Sequence, residues 1–304
     1  MVGIKQFGKV GLIYGGDSPE REVSLRSGAA TLNALEILKI PFAVFDADGY
    51  DLACQIKENK IDRCLIMQHG GHGENGDLQG MLESMKIPYT GSGVLGCSLA
   101  MNKVASKAIW KYYDMPLAKS RLMKSEIDFH GFDFSVAIKP TSQGSSVGTH
   151  KVKAENEVKN AYSDAKQYGD VMIEQWIEGR EYTVSIVNGK ALPAIWIEPT
   201  TTEFYDYHAK YNAQAKTRYH CPSGLDQTLE NKLQKMALKA FDAIHCTGWG
   251  RVDFMIDKEN NPYLMEVNTV PGMTELSLVP QAAKAYGWDF KELIVEILKT
   301  SFKK

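Results

Sequence analysis

The sequence has few cysteines, and they are not arranged as a cross-linked framework or a zinc site. The 304 residues contain five cysteines, an odd number, and no two of them form a C-x-x-C pair. A disulfide framework and a zinc ribbon are therefore both disfavoured. We expect reduced thiols that lie in the core or line a site. These thiols belong to Cys54, Cys64, Cys97, Cys221 and Cys246.

An excess of charge of one sign is also missing, and so are long hydrophobic runs. Lys and Arg number 35 against 37 Asp and Glu, for a formal net charge of −2. This balance of charge disfavours a protein that binds a nucleic-acid backbone through its net charge. No apolar run approaches the roughly 20 residues that a membrane span needs, and the N-terminus lacks a basic segment followed by a signal-type apolar core. We expect a cytoplasmic protein with neither a nucleic acid nor a membrane as partner.

Two familiar nucleotide-binding motifs are absent or misplaced. The pattern G-x-x-x-x-G-K-[ST] does not occur, so an ATP-binding protein would need another phosphate cradle. A G-x-G-x-x-G pattern occurs at Gly91, Gly93 and Gly96, but it follows only the short segment IPYT and lacks a suitably placed acidic residue downstream. We interpret it as a glycine turn leading into a helix. A nicotinamide-dependent oxidoreductase that uses this turn stays a competing hypothesis.

Alternating strands and helices dominate the first 90 residues. Apolar runs at 9–14, 41–46 and 63–68 are separated by segments with helical spacing, which predicts a parallel sheet with helices on both faces. A segment rich in Gly and Pro near 88–96 suits a domain junction. A helix over about 98–113 should follow it.

The remainder of the chain predicts α+β structure. Strands are predicted at 136–140, 149–152 and 171–177, with a helix over about 155–168. From Glu181 onward, we expect two further strands at 182–190 and 191–197, a long polar and aromatic stretch, a helix, a hairpin and a terminal helix. The polar stretch covers 200–220, the helix about 226–245 and the hairpin 249–268.

The predicted hairpin places four polar side chains together. Arg251 and Asp253 share one face of the strand WGRVDFMI, and Glu266 and Asn268 share one face of PYLMEVN, because side chains alternate with a period of two. Carboxylate and amide oxygens without His or Cys suit Mg²⁺. A solvent-facing polar side with an Arg–Asp pair explains the pattern equally well.

Three further features form a candidate phosphate clamp. Lys139 ends the strand VAIK, the loop GSSVG at 144–148 can present backbone N–H groups and hydroxyls to an anion, and Lys103 lies in the helix after the junction. Each feature alone is ordinary. Together they could bind phosphates without a Walker loop.

The loop HGGHGENGD at 69–77 has residue types found in metal sites. His69, His72 and Glu74 could ligate zinc by type, but the loop is rich in glycine and no third ligand has a regular spacing. A polar ligand-binding loop at the carboxyl end of a parallel strand is the favoured interpretation.

Taken in order, these segments resemble the D-alanine:D-alanine ligases of the ATP-grasp superfamily along essentially the whole chain. The resemblance implies α/β and α+β domains in a three-domain ATP-grasp architecture. The N-terminal domain would be a parallel α/β unit on the side of the first substrate, and a central α+β subdomain would follow it. The C-terminal domain would contain the metal site and a mobile loop at 200–220. Their ranges would be 1–93, 94–179 and 180–304. The segments that carry the resemblance are GGDSPEREVSLRSG (15–28), QHGGHGENGDLQGMLE (68–83), PYTGSG (88–93), IKPTSQGSSVG (138–148), EQWIEGREYTV (174–184), FYDYHAKY (204–211), GWGRVDFM (248–255) and MEVNTVPGMTELSLVP (265–280).

The resemblance also implies a reaction. A D-alanine carboxylate would attack the γ-phosphate of ATP to give D-alanyl phosphate, and the amine of a second D-alanine would displace phosphate. The products would be ADP, phosphate and D-alanyl-D-alanine for peptidoglycan precursor synthesis. Two Mg²⁺ ions, with Mn²⁺ able to substitute, and a homodimer are implied as well.

The implied nucleotide and metal contacts fall into three groups. The phosphates would contact Lys103, Lys139, Lys210 and the loop residue Ser145. Adenine and ribose would be held by Glu174, Trp176, Ile177 and Glu181. The Mg²⁺ ligands would be Asp253, Glu266 and Asn268.

The implied contacts to the two D-alanine molecules involve the rest of the motifs. The ammonium group of the first D-alanine would bind Glu20, and His69 would line the same pocket. Ser145 and Tyr211 would link Glu20 to the loop at 200–220. The carboxylate of the second D-alanine would bind Ser277 and the backbone of Leu278. Arg251 and the N–H of Gly272 would stabilise the negative charge on the tetrahedral oxygen that forms in the second step. The catalytic set would be Glu20, Ser145, Tyr211, Arg251, Gly272 and Ser277.

Besides the oxidoreductase considered above, three other functions compete with this one. A D-alanine:D-lactate ligase would share the fold, although Tyr211 in its AKY context argues against it. Another ATP-grasp carboxylate–amine ligase would need a different substrate pocket. A non-catalytic nucleotide-binding module belongs to another class and would bind ATP without turnover.

Overall fold

Three β-sheets follow one another along the chain in the computed structural model, which describes residues 3–47, 51–205 and 216–302. The first is a three-stranded parallel sheet in the order β2-β1-β3, with Val10 opposite both Phe42 and Arg63. Strand β3 is buried along its whole length, as expected for a sheet covered on both faces. The predicted N-terminal parallel sheet is confirmed. Its strands are β1 (Val10–Tyr14), β2 (Phe42–Asp46) and β3 (Arg63–Ile66), and the helices of this part are α1 (Arg21–Ile37), α2 (Leu52–Glu58) and α3 (Asp77–Ser84).

The segment after this sheet forms two helices where the sequence predicts one over 98–113. Helix α4 (Val94–Met101) ends before Asn102, whose backbone is extended with φ −96° and ψ 100°. The Asn102 side chain accepts hydrogen bonds from two backbone amides of the next turn and caps α5 (Lys103–Tyr112). The single-helix prediction was wrong because an N-cap residue interrupts the apolar pattern. Gly96, from the G-x-G-x-x-G pattern, lies inside α4, where a Cβ would be 2.5 Å from the His245 carbonyl oxygen.

The second sheet is antiparallel and has four strands in the order β4-β7-β5-β6. Helix α6 contacts three of its strands. Strand β4 was not predicted, because SRLM is short and mostly exposed. The elements are β4 (Ser120–Met123), β5 (Val136–Pro140), β6 (His150–Val152), α6 (Glu155–Lys166) and β7 (Val171–Gln175).

The third sheet has six strands, with β9 beside β8 and the others in the order β11-β10-β8-β12-β13. The strand expected over 191–197 is divided, and Pro193, which has no N–H to donate, lies in the gap. The predicted loop at 200–220 also differs at its end, where β11 pairs with β10. The elements are β8 (Gly179–Val187), β9 (Lys190–Ala191), β10 (Ile195–Glu198), β11 (Arg218–His220), α7 (Gln227–Ala243), β12 (Trp249–Asp257) and β13 (Pro262–Asn268).

Two C-terminal helices, rather than one, follow the hairpin and share a hydrophobic core with the first sheet. Helix α8 (Leu278–Tyr286) ends at Gly287, and α9 (Phe290–Lys299) begins after a capping box at Asp289. The buried side chains of α9 share a core with β1 and β3. Arg63 Nη1 donates to Ser301 Oγ at 2.7 Å, which fixes the chain end to β3. Among the described residues, no helix is long and apolar enough to cross a membrane.

Candidate active site

Two cavities meet where the three sheets come together. The first cavity, of about 320 Å³, is lined by residues of α1, the loop after β3, β12, β13 and the loop before α8. The second cavity, of about 310 Å³, lies between the second and third sheets. The residues that line both are Lys103, Gln143, Tyr205 and Glu266.

The hairpin of β12 and β13 supplies the polar wall of the first cavity. Arg251 lies opposite Asn268 and Asp253 lies opposite Glu266, so the four side chains share one face. The Arg251 guanidinium donates to both Asp253 oxygens at 2.8 Å, through Nε and Nη2. Burial alone would lower the pKa of Arg251, but the Asp253 carboxylate outweighs it and raises that pKa above its ordinary value. Arg251 is therefore a permanent cation at the edge of the cavity.

The donor set of this hairpin fits a hard divalent cation. Asn268 Oδ1 is buried and has no hydrogen-bond partner among the described residues. Glu266 Oε2 lies 3.1 Å from Lys103 Nζ, and Thr183 Oγ1 donates to Asp253 Oδ1 at 2.6 Å. In the described part of the chain, no group of three or more His, Cys, Asp or Glu side chains could hold a metal ion. The set here contains two carboxylates and one amide oxygen, which are ligand types that suit Mg²⁺.

Lysine side chains surround the wall shared by the two cavities. Lys103 Nζ donates to the Gln143 carbonyl oxygen at 2.7 Å. Lys139 Nζ lies 2.5 Å from Glu174 Oε2, and Lys107 Nζ forms an ion pair with Glu174 Oε1. Burial alone would raise the pKa of Glu174, but the two ammonium groups lower it overall. Sequence reasoning missed Lys107, although it follows Lys103 by one helical turn on the same face of α5.

The far end of the second cavity is lined by aromatic and apolar groups. The Trp176 ring lies 4.6 Å from Lys151 Nζ and makes an edge-to-face contact with Phe204 at 5.5 Å between centroids. Ile177 and Glu181 line the same cavity. This end therefore offers flat apolar surface with a carboxylate beside it.

A contact between Glu20 and Ser145 joins the first two parts of the chain. Glu20 occupies the N-cap position of α1, and the Ser145 hydroxyl donates a hydrogen bond to its Oε1. Ser145 and Ser146 have φ values of 51° and 60°, in the left-handed region that side chains other than glycine seldom adopt. Such strained conformations are concentrated at functional sites. The GSSVG loop therefore lies against the carboxylate at the start of α1.

His69 is held by two buried hydrogen bonds. Its Nδ1 lies 2.6 Å from the Val270 carbonyl oxygen, and its Nε2 lies 2.8 Å from Ser27 Oγ. A carbonyl can only accept, so Nδ1 carries the proton and Nε2 accepts from Ser27. Burial lowers the pKa of His69, although nearby Glu20 opposes this effect. His72 instead contacts Asp77 at the surface at 2.6 Å, so the two histidines do not converge on a zinc ion.

The loop before α8 completes the first cavity. Gly272, Ser277 and Leu278 line it, and a Cβ on Gly272 would lie 3.0 Å from Ser277 Oγ. The Thr274 amide donates to Ser277 Oγ at 2.9 Å. Ser277 takes the N-cap position without a side-chain cap, so the first N–H groups of α8 are available to an anion.

Two other features of the first cavity were not predicted as site residues. The Tyr205 and Tyr219 hydroxyls lie 2.9 Å apart and line the cavity. Glu74, considered from the sequence only as a metal ligand, is buried, and burial together with Glu20 raises its pKa. Of the predicted site residues, Lys210 and Tyr211 lie outside the described residues.

Comparison with family profiles and curated proteins identifies related chains. The profile "D-ala D-ala ligase C-terminus" matches residues 101–299, and "D-ala D-ala ligase N-terminus" matches 45–92. A D-alanine–D-alanine ligase from Pseudoalteromonas atlantica is 46% identical over 99% of this chain and 96% of its own length. One from Francisella tularensis is 43% identical over 96% of this chain and 98% of its own.

Solved structures of similar fold come from the same family. A crystal structure of the D-alanine–D-alanine ligase from Bacillus anthracis has a TM-score of 0.84 and 33% identity, covering 97% of this chain and 98% of that one. A structure of the Bacillus anthracis protein complexed with ATP has a TM-score of 0.83 and 31% identity. The α/β and α+β fold expected from the sequence resemblance is confirmed.

Proposed function

The chain belongs to the D-alanine–D-alanine ligase family, and from that premise we propose which of its residues carry the reaction. It is an ATP-dependent ligase that joins two D-alanine molecules for peptidoglycan synthesis. The relatives do not favour a D-lactate ligase, another carboxylate–amine ligase or a module without activity. The main support for assigning these residues is that the two cavities adjoin and that Lys103 and Glu266 line both of them.

In the proposed arrangement, ATP occupies the second cavity with its γ-phosphate at the shared wall. A carboxylate oxygen of the first D-alanine, in the first cavity, forms a bond to the γ-phosphorus while the bond to the β,γ-bridging oxygen breaks and ADP leaves. A carboxylate attacks a polyanion poorly, so cations must offset the charge. Lys103 and Lys139 lie at or near the shared wall, and we assign Lys210 to the same role.

Asp253, Glu266 and Asn268 would hold two Mg²⁺ ions. The buried Asn268 Oδ1, without a partner among the described residues, supports this assignment. Asp253 can ligate while it accepts from Arg251, because a carboxylate has about four acceptor positions. When bound, Mg²⁺ would neutralise charge on the transferring phosphoryl group, and Mn²⁺ could substitute.

We assign the first D-alanine to the wall formed by Glu20 and His69. Glu20 would accept from the ammonium group, and the Ser145 hydroxyl, which donates to Glu20, would fix that carboxylate. Tyr211 is proposed to extend this chain of contacts to the segment at 200–220. Closure of that segment would exclude water from the acyl phosphate.

The second D-alanine would bind at the start of α8. The Ser277 hydroxyl and the Leu278 N–H would hold its carboxylate, a position favoured by the helix N-terminus. Its neutral amine would attack the acyl carbon, and phosphate would leave. Arg251 uses two of its five N–H donors on Asp253, so other donors can stabilise the tetrahedral oxygen together with the Gly272 N–H.

The far end of the second cavity is assigned to the nucleoside. Trp176 and Ile177 would contact adenine, Glu174 would accept from its exocyclic amino group, and Glu181 would accept from the ribose hydroxyls. Each of these side chains lines the cavity.

Three other assignments are part of the proposal. The domains would be 1–93, 94–179 and 180–304, and the distribution of the three sheets supports this, with β8 beginning one residue before the last boundary. The resemblance to the family supports a homodimer, which light scattering on the purified protein would test. The use of ATP supports a cytoplasmic location.

Purified protein with ATP, Mg²⁺ and D-alanine tests the central proposal. We expect phosphate release that requires D-alanine and yields D-alanyl-D-alanine. Product analysis with D-alanine and D-lactate both present separates the two acceptors. ATP binding without D-alanine-dependent phosphate release would contradict the proposal.

A further inference from the structure

The Glu174 carboxylate lies between two buried lysines that approach it from opposite sides. Lys139 contacts Oε2 and lines the second cavity, whereas Lys107 contacts Oε1 and lines a separate groove between α5 and β4. Ala118 lines both spaces, so only a thin wall separates them. Lys107 therefore lies behind Glu174 as seen from the nucleotide.

Lys107 is fixed more firmly than its exposed neighbours on the helix. Its side chain is 4% exposed, and Nζ also donates to the Leu264 carbonyl oxygen at 3.2 Å. A buried ammonium has a large desolvation cost and persists only with charged and hydrogen-bonded partners. Its two contacts are with Glu174 of β7 and Leu264 of β13, which both line the second cavity. No substrate contact has been assigned to Lys107 itself.

The two lysines have different tasks once ATP is bound. In the proposed function, Lys139 contacts the phosphates, which draws one cation away from Glu174. A carboxylate that is 9% exposed would move or take up a proton if Lys139 were its only cationic partner. Lys107, which lines the groove and not the second cavity, would remain as the counter-charge.

We propose that Lys107 is a positioning residue for base recognition, because it holds the Glu174 carboxylate ionised and in place as the acceptor for the exocyclic amino group of adenine. This rests on the adenine role of Glu174 in the proposed function. A fixed carboxylate accepts from the amino group at position 6 but repels a carbonyl oxygen there. Lys107 thereby sets the preference for ATP over a nucleotide with a 6-carbonyl group, without touching either one.

The test compares ATP with ITP, which carries a carbonyl group at position 6, in D-alanine-dependent phosphate release. In Lys107→Met, we expect the KM for ATP to rise about tenfold, kcat to change little, and the kcat/KM preference for ATP over ITP to fall about tenfold. Lys107→Arg should restore most of the preference. Lys111→Met is the matched control, since Lys111 lines the same groove but is exposed, and it should behave like wild type.

Glu174→Gln separates the two levels of the proposal. If Glu174→Gln loses the preference for ATP and Lys107→Met keeps it, Lys107 is structural and the inference is wrong, while the adenine role of Glu174 stands. If neither variant changes the preference, the adenine role of Glu174 has failed. A loss of activity that is equal for both nucleotides also contradicts the inference. Lys107→Gln replaces Lys107→Met in the test if the latter does not fold by circular dichroism.

Discussion

Ser27 Oγ lies 2.8 Å from His69 Nε2, and this contact is part of a link between α1 and the loop that precedes α8. The same hydroxyl oxygen accepts from the Met273 amide at 3.0 Å, and His69 in turn donates to Val270. The loop residue between these two anchors, Gly272, is the proposed oxyanion donor. A small hydroxyl in the N-terminal part thus positions a backbone N–H supplied by the C-terminal part.

Ser27→Ala should therefore lower the rate of chemistry. We expect kcat to fall about tenfold with little change in the KM for ATP, because the Gly272 N–H is aimed less well. Removing a buried partner should also cost about 1 to 3 kcal/mol of stability. Steady-state kinetics and urea unfolding measure the two effects.

Ser24→Ala is the matched control for that variant. Ser24 is equally buried on α1, accepts from the Gly15 amide at 2.8 Å and donates to the Met67 carbonyl at 2.7 Å, so both of its bonds stay within the N-terminal part. It should lose similar stability and keep its kcat. An equal loss of kcat in both variants would show that the link through Ser27 has no specific role.

Acidification should destabilise the protein partly through His69. Burial places the folded-state pKa of His69 below the unfolded value of about 6.5, so the unfolded state binds the extra proton first as the pH falls. The stabilising contribution is complete above about pH 6.5 and declines below it, by at most about 1.4 kcal/mol per pH unit. Urea unfolding at about pH 7.5 and about pH 5.5 measures the loss.

His69→Gln should reduce this pH dependence, because its amide can replace both hydrogen bonds without titrating. The exposed residue His130 offers the comparison, since His130→Gln leaves the buried link intact. The same loss between the two pH values in His69→Gln and wild type would rule out His69 as its source.

Asp253→Asn and Glu266→Gln should each abolish most turnover while the fold remains. Each change removes a full charge from the proposed Mg²⁺ site and keeps the size of the side chain. Rates of phosphate release should fall about a hundredfold or more, since stabilisation of charge by a metal is worth several kcal/mol. Measurements over a range of Mg²⁺ concentrations, with circular dichroism as the folding check, test this.

Asp257→Asn provides the control on the same strand. Asp257 accepts from the amides of Glu259 and Asn261 in the turn after β12, and it lines neither cavity. It should lose some stability and retain activity. Wild-type rates at saturating Mg²⁺ in Asp253→Asn or Glu266→Gln would remove the hairpin from the metal site.

The sequence predicted features that depend on local periodicity. The period of two was enough to place Arg251 with Asp253 and Glu266 with Asn268, each pair on one face of its strand. The two pairs share a face because the ladder shifts by one residue between Asp253 and Phe254, and the spacing of the sequence does not predict that shift. The alternation of strands and helices was enough to predict the N-terminal parallel sheet. The long motifs were enough to identify the protein family.

Contacts between distant segments could not be predicted in this way. Lys107 meets Glu174 only because α5 packs behind β7, and no spacing in the sequence encodes that packing. The contact of Arg63 with Ser301 likewise depends on the C-terminal helices returning to the first sheet. Ser27 lies in the segment 15–28 that carries the family resemblance, but nothing in its spacing predicts burial, since a serine on a helix is usually exposed.

Ser145→Ala should weaken the binding of the first D-alanine. The Ser145 hydroxyl donates to Glu20 from a loop of the central part, so the contact both orients the carboxylate and couples this loop to the substrate. A hydrogen bond to a charged group is worth about 1.5 to 3 kcal/mol, which corresponds to a KM for D-alanine about 10 to 150 times higher at the first site. Alanine at this position keeps the left-handed backbone, so relief of strain does not contribute to the effect.

Ser146→Ala separates this role from a general effect on the GSSVG loop. Ser146 also has a left-handed backbone, but its hydroxyl donates to the Tyr205 carbonyl oxygen at 3.2 Å, away from Glu20. Its KM for D-alanine at the first site should stay within about threefold of wild type, because a neutral hydrogen bond contributes less. The KM values for both D-alanine sites and for ATP are measured in each variant. The KM for ATP could instead rise in Ser145→Ala as much as the KM for D-alanine. In that case the Ser145 hydroxyl contributes to binding the phosphates of ATP, and other contacts orient Glu20.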